Sequence, residues 1–245
     1  MDCMNGKNFL SAANMPFKPI IFCDFDGTIT TTDTLVYLLD RYGDREWRKY
    51  EIPVKNGQWS TKQSLLEEFA RFRATEECVK KHLENDIALD PHFREFLDFV
   101  NDSSCPFIIL SGGFRQFISI VLSRHGISGI PYYANDIHFK GDRTTLSFPH
   151  TYAPCTRCAH PKTLHIAKAR QEGFFPIVFI GDGTTDRCPV KYADIAFAKI
   201  GLANYCDSEG IPYNAWDTFR DIEIRLREEF APYVTPSYGS AGVTK

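Results

Sequence analysis

Two aspartate-rich segments hold the residue types best suited to chemistry in this sequence. Asp24-Phe25-Asp26-Gly27-Thr28 closes one short apolar run, residues 19–25, and Gly181-Asp182-Gly183-Thr184-Thr185-Asp186 follows another, residues 176–180. Carboxylates gathered in one place repel unless a cation holds them, and a hard, oxygen-rich set of this kind suits magnesium. Asp-Gly also marks ordinary solvated turns, so the catalytic reading requires the two segments to meet. A twelve-residue calcium loop is excluded, because Thr28 and Thr30 stand where that pattern needs further oxygen ligands and its glycine hinge. The second segment begins like a dinucleotide fingerprint, but Asp186 replaces the third glycine and would repel a pyrophosphate.

Two further segments fit a phosphate-handling site. Ser111-Gly112-Gly113 follows the apolar residues 106–110 and precedes a helical pattern. A small hydroxyl, glycines and a helix start together make a cradle of backbone N–H groups for an anion, although a plain strand-to-helix turn looks the same. Lys162 opens another helical pattern. A lone lysine is ordinarily a solvated surface cation, but beside four carboxylates it would neutralise charge and hold phosphate as a point charge.

The elements that must position these groups alternate between strand and helix. Apolar runs at 19–25, 106–110, 176–180 and 194–198 read as strands buried on both faces. Helical spacing appears in residues 33–42, 61–73, 74–85, 91–100, a stretch after 113, 162–170 and 218–230. Residues 131–149 alternate around Lys140-Gly141-Asp142, a hairpin signal. The pattern predicts an α/β fold with a parallel sheet, whose ligands bind at the carboxyl ends of the strands. The stretch between the first two strands is too long for one crossover helix, so a helical insertion is expected at 34–90. The core would then comprise 19–33 and 91–232, with tails at 1–18 and 233–245.

Taken together, the four segments resemble the signatures of the haloacid dehalogenase superfamily of phosphohydrolases. They appear in the expected order: Asp24 to Thr28, Ser111, Lys162, then Gly181-Asp182-Gly183 with Asp186. The resemblance implies a Rossmann-like core with a helical cap of the C1 type. It also implies a phosphomonoesterase in which Asp24 is the nucleophile that carries an aspartyl phosphate and Asp26 is the acid and base. Ser111, Gly112 and Lys162 would hold phosphate. Magnesium would be held by Asp24, Asp26 (through its backbone carbonyl), Asp182 and Asp186. A phosphotransferase or mutase on the same core and a binding protein with a vestigial site are the competing readings. Within the superfamily the chain is most similar to the phosphoserine-phosphatase-like branch. Residues 150–162 resemble two of its groups, the phosphatases of 2-hydroxy-3-keto-5-methylthiopentenyl-1-phosphate and those of phosphoethanolamine and phosphocholine. Phosphoserine and pyridoxal phosphate are the other substrates considered. Asp33 stands where phosphoserine phosphatases carry a longer glutamate that reads the substrate amine.

Composition narrows the partners. The 245 residues are 43% hydrophobic and 24% charged with a net charge of -3, enough for a core and too mild for electrostatic attachment to nucleic acid or anionic lipid. No apolar run approaches the ~20 residues of a membrane span, and the start does not read as a secretory signal. The expectation is a cytoplasmic monomer or homodimer acting on a small phosphorylated metabolite. Eight cysteines are scattered through the chain and need no disulfide framework. Cys155 and Cys158, with His150 and His160 nearby, could hold a structural zinc. In the insertion, Trp47, Arg48, Trp59, Phe69, Arg71 and Phe72 are candidates to close over the leaving group, with helix packing as the plainer reading.

Overall fold

The computed structural model describes residues 17–231. Cys3, all but two residues of the tail expected at 1–18, the last expected core residue, 232, and the tail expected at 233–245 lie outside the described residues. Chain order runs β1 (Ile20–Cys23), α1 (Thr34–Tyr42), α2 (Glu51–Lys55), α3 (Thr61–Ala70), α4 (Glu76–Asn85), α5 (Phe93–Asp102), β2 (Phe107–Phe114), α6 (Arg115–Arg124), β3 (Tyr132–Lys140), β4 (Arg143–Ser147), α7 (Thr163–Gln171), β5 (Ile177–Gly181), β6 (Ile195–Ala198), α8 (Ile200–Glu209), β7 (Asn214–Ala215) and α9 (Phe219–Phe230).

The strands form one sheet in the order β4-β3-β2-β1-β5-β6-β7. Every pair is parallel except the β3–β4 hairpin, which turns at Gly141 with φ +64°. Alternation along the central strands explains the two cores. Ile21, Cys23, Ile109, Val178 and Ile180 face one layer with α5, α6 and α9. Ile20, Phe22, Leu110, Ile177 and Phe179 face the other with α7 and α8. Both faces are buried, so these strands read as continuous apolar runs instead of alternating ones. Phe93 and Phe96 of α5 meet Phe219 of α9 with ring centroids 4.9 and 5.0 Å apart. Aromatic contacts of this kind add about 0.5–1.5 kcal/mol each beyond area burial.

Three differences from the sequence reading have local causes. The second strand does not stop at Leu110; it continues through Ser111-Gly112-Gly113 to Phe114, with a register shift against β3 between Leu110 and Phe114. Asn135 donates to the Gly112 carbonyl at 2.8 Å, and the Gly113 N–H goes to the Ser111 hydroxyl at 2.8 Å, so the bulged backbone stays satisfied. Helix α8 escaped notice because it buries only Leu202 and Cys206, too few for a periodic face. Helix α2 is a five-residue turn containing Pro53.

Between β1 and β2 lie α1 to α4 and then α5. Helix α1 starts on an Asp33 N-cap, whose carboxylate accepts from the Leu35 and Val36 N–H groups. Helix α3 starts on a Ser60–Gln63 capping box. Its N-terminus meets the loop before α7, where Thr61 N–H donates to the Arg157 carbonyl at 2.9 Å. Among the described residues no helix is long and apolar enough to cross a membrane.

Candidate active site

The carboxyl ends of β1, β2 and β5 lie side by side and bring the four segments together. Asp24 follows β1 directly and is 4% exposed. Its carboxylate oxygen Oδ1 accepts from the Phe25 N–H at 2.7 Å and lies 2.6 Å from Lys162 Nζ. The same Nζ donates to Asp186 Oδ1 at 2.7 Å. Lys162 arrives at the N-terminus of α7 and its side chain is fully buried. Asp186 is 0% exposed, and its Oδ2 accepts from the backbone N–H groups of Asp182 and Gly183. Asp182 takes a hydrogen bond from the Thr28 hydroxyl at 2.8 Å. One carboxylate oxygen from each of Asp24, Asp182 and Asp186 lies within 4.8 Å of the others.

Glycines permit this closeness. Gly27 has φ +76°, and a Cβ there would stand 2.7 Å from Asp182 Oδ2. A Cβ on Gly181 would stand 2.5 Å from Asp186 Oδ2. The Asp26-Gly27 signal therefore marks close approach of the first loop to the second, beyond a simple turn, while Gly181 makes room for Asp186 of its own segment.

Asp26 stands apart from that trio. Its Oδ1 accepts from the Thr34 N–H at 3.1 Å and hydroxyl at 2.5 Å, and its Oδ2 from the Ser111 hydroxyl at 3.2 Å. The site therefore has two halves, a carboxylate trio around Lys162 and an Asp26–Ser111 pair beside it. The backbone cradle expected at Ser111-Gly112-Gly113 is partly occupied, because the Gly113 N–H already serves Ser111 Oγ.

Electrostatics follow the burial. Burial, then the neighbouring Asp186, pushes the Asp24 carboxyl well above its usual range. The same causes raise Asp182 to about 6. Burial also raises Asp26, against the lowering effect of its Thr34 and Ser111 hydrogen bonds. Burial alone would pull Lys162 down, but Asp186 and Asp24 hold it above its ordinary value. Three carboxylates against one ammonium leave two negative charges when all are ionised, the charge a divalent cation would balance.

A cavity of about 350 Å³ opens over these groups. Its far wall comes from α1, α2 and α3 through Leu35, Val54, Lys55, Leu65, Glu51 and Glu68. The cap residues expected to close over the leaving group are elsewhere. Arg71 pairs with Glu67 at 3.0 Å and reaches toward Asp44. Arg48 and the Trp47 indole both bond Asp40. Phe69 and Phe72 are core residues, and Trp59 stacks on Tyr50. Sequence reasoning missed Thr28 and Thr34, which orient Asp182 and Asp26, and Glu68, a buried carboxyl pushed to about 7 by burial. Thr34, a threonine seven residues past Gly27, carries no visible signal. Glu68 could have been found as a charge on the apolar face of α3.

The four residues expected around a zinc sort into two groups. Cys155 and Cys158 interact with each other and with Cys188, which lowers the Cys155 thiol and raises Cys158. His150 and His160 instead join His165, which the sequence reading did not single out. The seven described cysteines are all free.

Comparison with known proteins agrees with this geometry. The chain is 29% identical to a 2-hydroxy-3-keto-5-methylthiopentenyl-1-phosphate phosphatase of Bacillus pumilus (strain SAFR-032), over 85% of this chain and 91% of that enzyme. It is 30% identical to the enzyme of the same name from Bacillus cereus (strain AH187), over 84% of this chain and 95% of that one. A phosphoserine phosphatase from T. onnurineus superposes with a TM-score of 0.62 at 18% identity, covering 86% of this chain and 95% of that one; this likeness concerns the fold. A family model for haloacid dehalogenase-like hydrolases matches residues 21–188, a span that holds every residue of the carboxylate trio, Lys162, Asp26 and Ser111, and the chain belongs to that family.

Proposed function

We propose that the chain is a magnesium-dependent phosphomonoesterase working through Asp24, and that residues 34–90 form a cap over a core of 19–33 and 91–232. The observation that carries this reading is the meeting of Asp24, Asp182 and Asp186 around the buried Lys162, with Asp26 and Ser111 alongside. The donor set fits magnesium, because it is all oxygen and carries two surplus negative charges. Asp24, Asp182 and Asp186 would hold the ion, with the Asp26 backbone carbonyl. When bound, it supplies charge neutralisation at the phosphoryl oxygens and lets an anionic nucleophile approach an anionic ester.

The chain's own groups account for the remaining steps. The Phe25 N–H and Lys162 Nζ both reach Oδ1 of Asp24, so Oδ2 is the oxygen left to attack phosphorus. Lys162 and the Ser111 hydroxyl hold phosphoryl oxygens in place. As the Oδ2–P bond forms and the ester P–O bond breaks, Asp26 gives its proton to the departing alkoxide. Its raised pKa suits it to enter as an acid. A water then attacks phosphorus and passes its proton to Asp26, the P–Oδ2 bond breaks, and phosphate leaves. The cap wall keeps bulk water from the aspartyl phosphate until the alcohol has departed.

For the substrate we propose 2-hydroxy-3-keto-5-methylthiopentenyl-1-phosphate, supported by the relatives' names and by Leu35, Val54 and Leu65 in the cavity wall, which suit a methylthio group. A second reading rests on Asp33, Glu51 and Glu68 in the same wall. Three carboxyls there favour a cationic leaving group, as in phosphoethanolamine or phosphocholine. The test is a comparison of kcat/KM for these esters with p-nitrophenyl phosphate, with magnesium and after chelation, for the native chain and Asp24→Asn. Hydrolysis of all of them should vanish in Asp24→Asn. Full activity in that variant removes the nucleophile assignment, and the ester with the highest kcat/KM decides between the two substrate readings.

A further inference from the structure

We propose that His150, His160 and His165 form a second metal site, separate from the carboxylate trio, that takes a borderline divalent transition ion of the zinc type. One ring nitrogen from each lies within 4.8 Å of the other two. His150 comes from the loop after β4, His160 from the segment before α7 and His165 from the first turns of α7. An ion there would staple the loop carrying Lys162 onto the core.

The arrangement has the features that a nitrogen-ligand site needs. His160 is 3% exposed, and its Nδ1 lies 2.7 Å from the Ser111 carbonyl. A carbonyl only accepts, so Nδ1 carries the proton and the Nε2 lone pair is free. Metal-ligating histidines characteristically donate their other N–H to a backbone carbonyl in this way. That Nε2 points at His165 Nε2, 2.9 Å away. The His165 ring is held against Tyr133 with centroids 4.4 Å apart, and the His150 ring lies 4.7 Å from that of His160. Tetrahedral zinc–imidazole bonds of about 2.0–2.1 Å place ligand nitrogens roughly 3.3 Å apart. His160 and His165 would part by a few tenths of an ångström, and His165 would shift its proton to Nδ1. Burial keeps all three rings lowered from their ordinary pKa, in the neutral form that binds metal.

Donor chemistry separates the two sites. Three neutral imidazoles select zinc, copper, nickel or cobalt, whereas three carboxylates select magnesium. Ser111 joins them physically: its hydroxyl faces Asp26, and its carbonyl holds His160. The cysteine trio Cys155, Cys158 and Cys188 is the competing home for a zinc-type ion, and its thiolates give it a distinct spectrum.

The experiment is a cobalt(II) titration of chelator-treated full-length protein in excess magnesium, read by visible absorption. The expected result is one equivalent of four-coordinate cobalt with intense d–d bands and no near-ultraviolet thiolate charge-transfer band. Affinity should fall in His150→Ala and His165→Gln by more than the about 10- to 100-fold that an outer-shell partner is worth. It should be unchanged in Cys155→Ser and in Asp182→Asn. His150 is a half-buried loop residue, so His150→Ala is the variant that keeps the fold, checked by its metal-free melting temperature. Zinc should raise the melting temperature of the native chain and not that of His150→Ala. Absence of the d–d bands, bands indifferent to both histidine variants, or a charge-transfer band that Cys155→Ser removes would each overturn the proposal.

Discussion

Replacing Asp182 with asparagine should make the metal-free protein more stable while disabling it. Asp182 sits against Asp186 in a mostly buried loop, which raises its carboxyl from 3.8 to about 6. A folded-state pKa above the unfolded one means that stability present below the unfolded value is lost as pH rises through about 6. Two pKa units at 1.36 kcal/mol each put that loss at about 3 kcal/mol by pH 8. The asparagine side chain would remove the charge and still accept the Thr28 hydroxyl bond through its own oxygen. For a chain of this size, about 2–4 °C per kcal/mol predicts a melting temperature roughly 6–12 °C higher for Asp182→Asn in chelator at pH 8. Little difference is expected at pH 4. Magnesium at about a thousand times its Kd should reverse the order, since a ligand at that excess stabilises the native chain by about 4.1 kcal/mol and the variant has lost a ligand. Turnover should fall by about a hundredfold or more, the rate equivalent of several kcal/mol of metal stabilisation. Differential scanning fluorimetry at both pH values, with chelator and with magnesium, reads the first part; p-nitrophenyl phosphate hydrolysis reads the second. A variant less stable than the native chain in chelator at pH 8, or one with native magnesium dependence, would refute the reasoning.

Other perturbations test other contacts. Lys162→Met removes the cation that lies 2.6 and 2.7 Å from two buried carboxylates, so chemical denaturation should show a loss of about 3–5 kcal/mol. Gly113→Ala places a Cβ 2.7 Å from Asp26 Oδ2 and 2.9 Å from Leu35 Cδ1. It should cut kcat more than about tenfold by moving the acid, with the circular dichroism spectrum unchanged. Glu68 has a folded pKa of about 7 against 4.5, so its stabilising contribution is present below pH 4.5 and lost as pH rises through 7. Glu68→Gln should therefore gain up to about 3 kcal/mol at pH 8 and nothing at pH 4 in urea titrations. If the wall reads a cationic leaving group, the same variant raises KM for phosphocholine while leaving p-nitrophenyl phosphate unaffected.

Much of this protein was legible from one dimension. Continuous apolar runs at 19–25, 106–110 and 176–180 specify strands buried on both faces, because only a sheet covered by helices can hide every side chain of such a run. Aspartates placed directly after two of those runs must then reach the carboxyl edge of the sheet, where ligands bind. Asp24, Asp26, Asp182 and Asp186 stand out by this order and their charge, whereas Lys162, one of 28 basic residues, is picked out through the resemblance to the haloacid dehalogenase signatures.

What the sequence could not decide is how side chains turn once the elements pack. Asp24 and Asp26 are two residues apart and chemically identical, yet the fold turns one to Lys162 and the other to Ser111 and Thr34. The role of Thr28 comes from a neighbour 154 residues away, and that of Glu68 from the cavity it lines. The Cys-x-x-Cys segment and its flanking histidines looked like one ligand set along the chain. Packing sends the cysteines toward Cys188 and the histidines toward His165. Sequence order fixes which chemical groups reach the sheet edge, whereas the direction of each group depends on close packing among parts of the chain far apart in sequence.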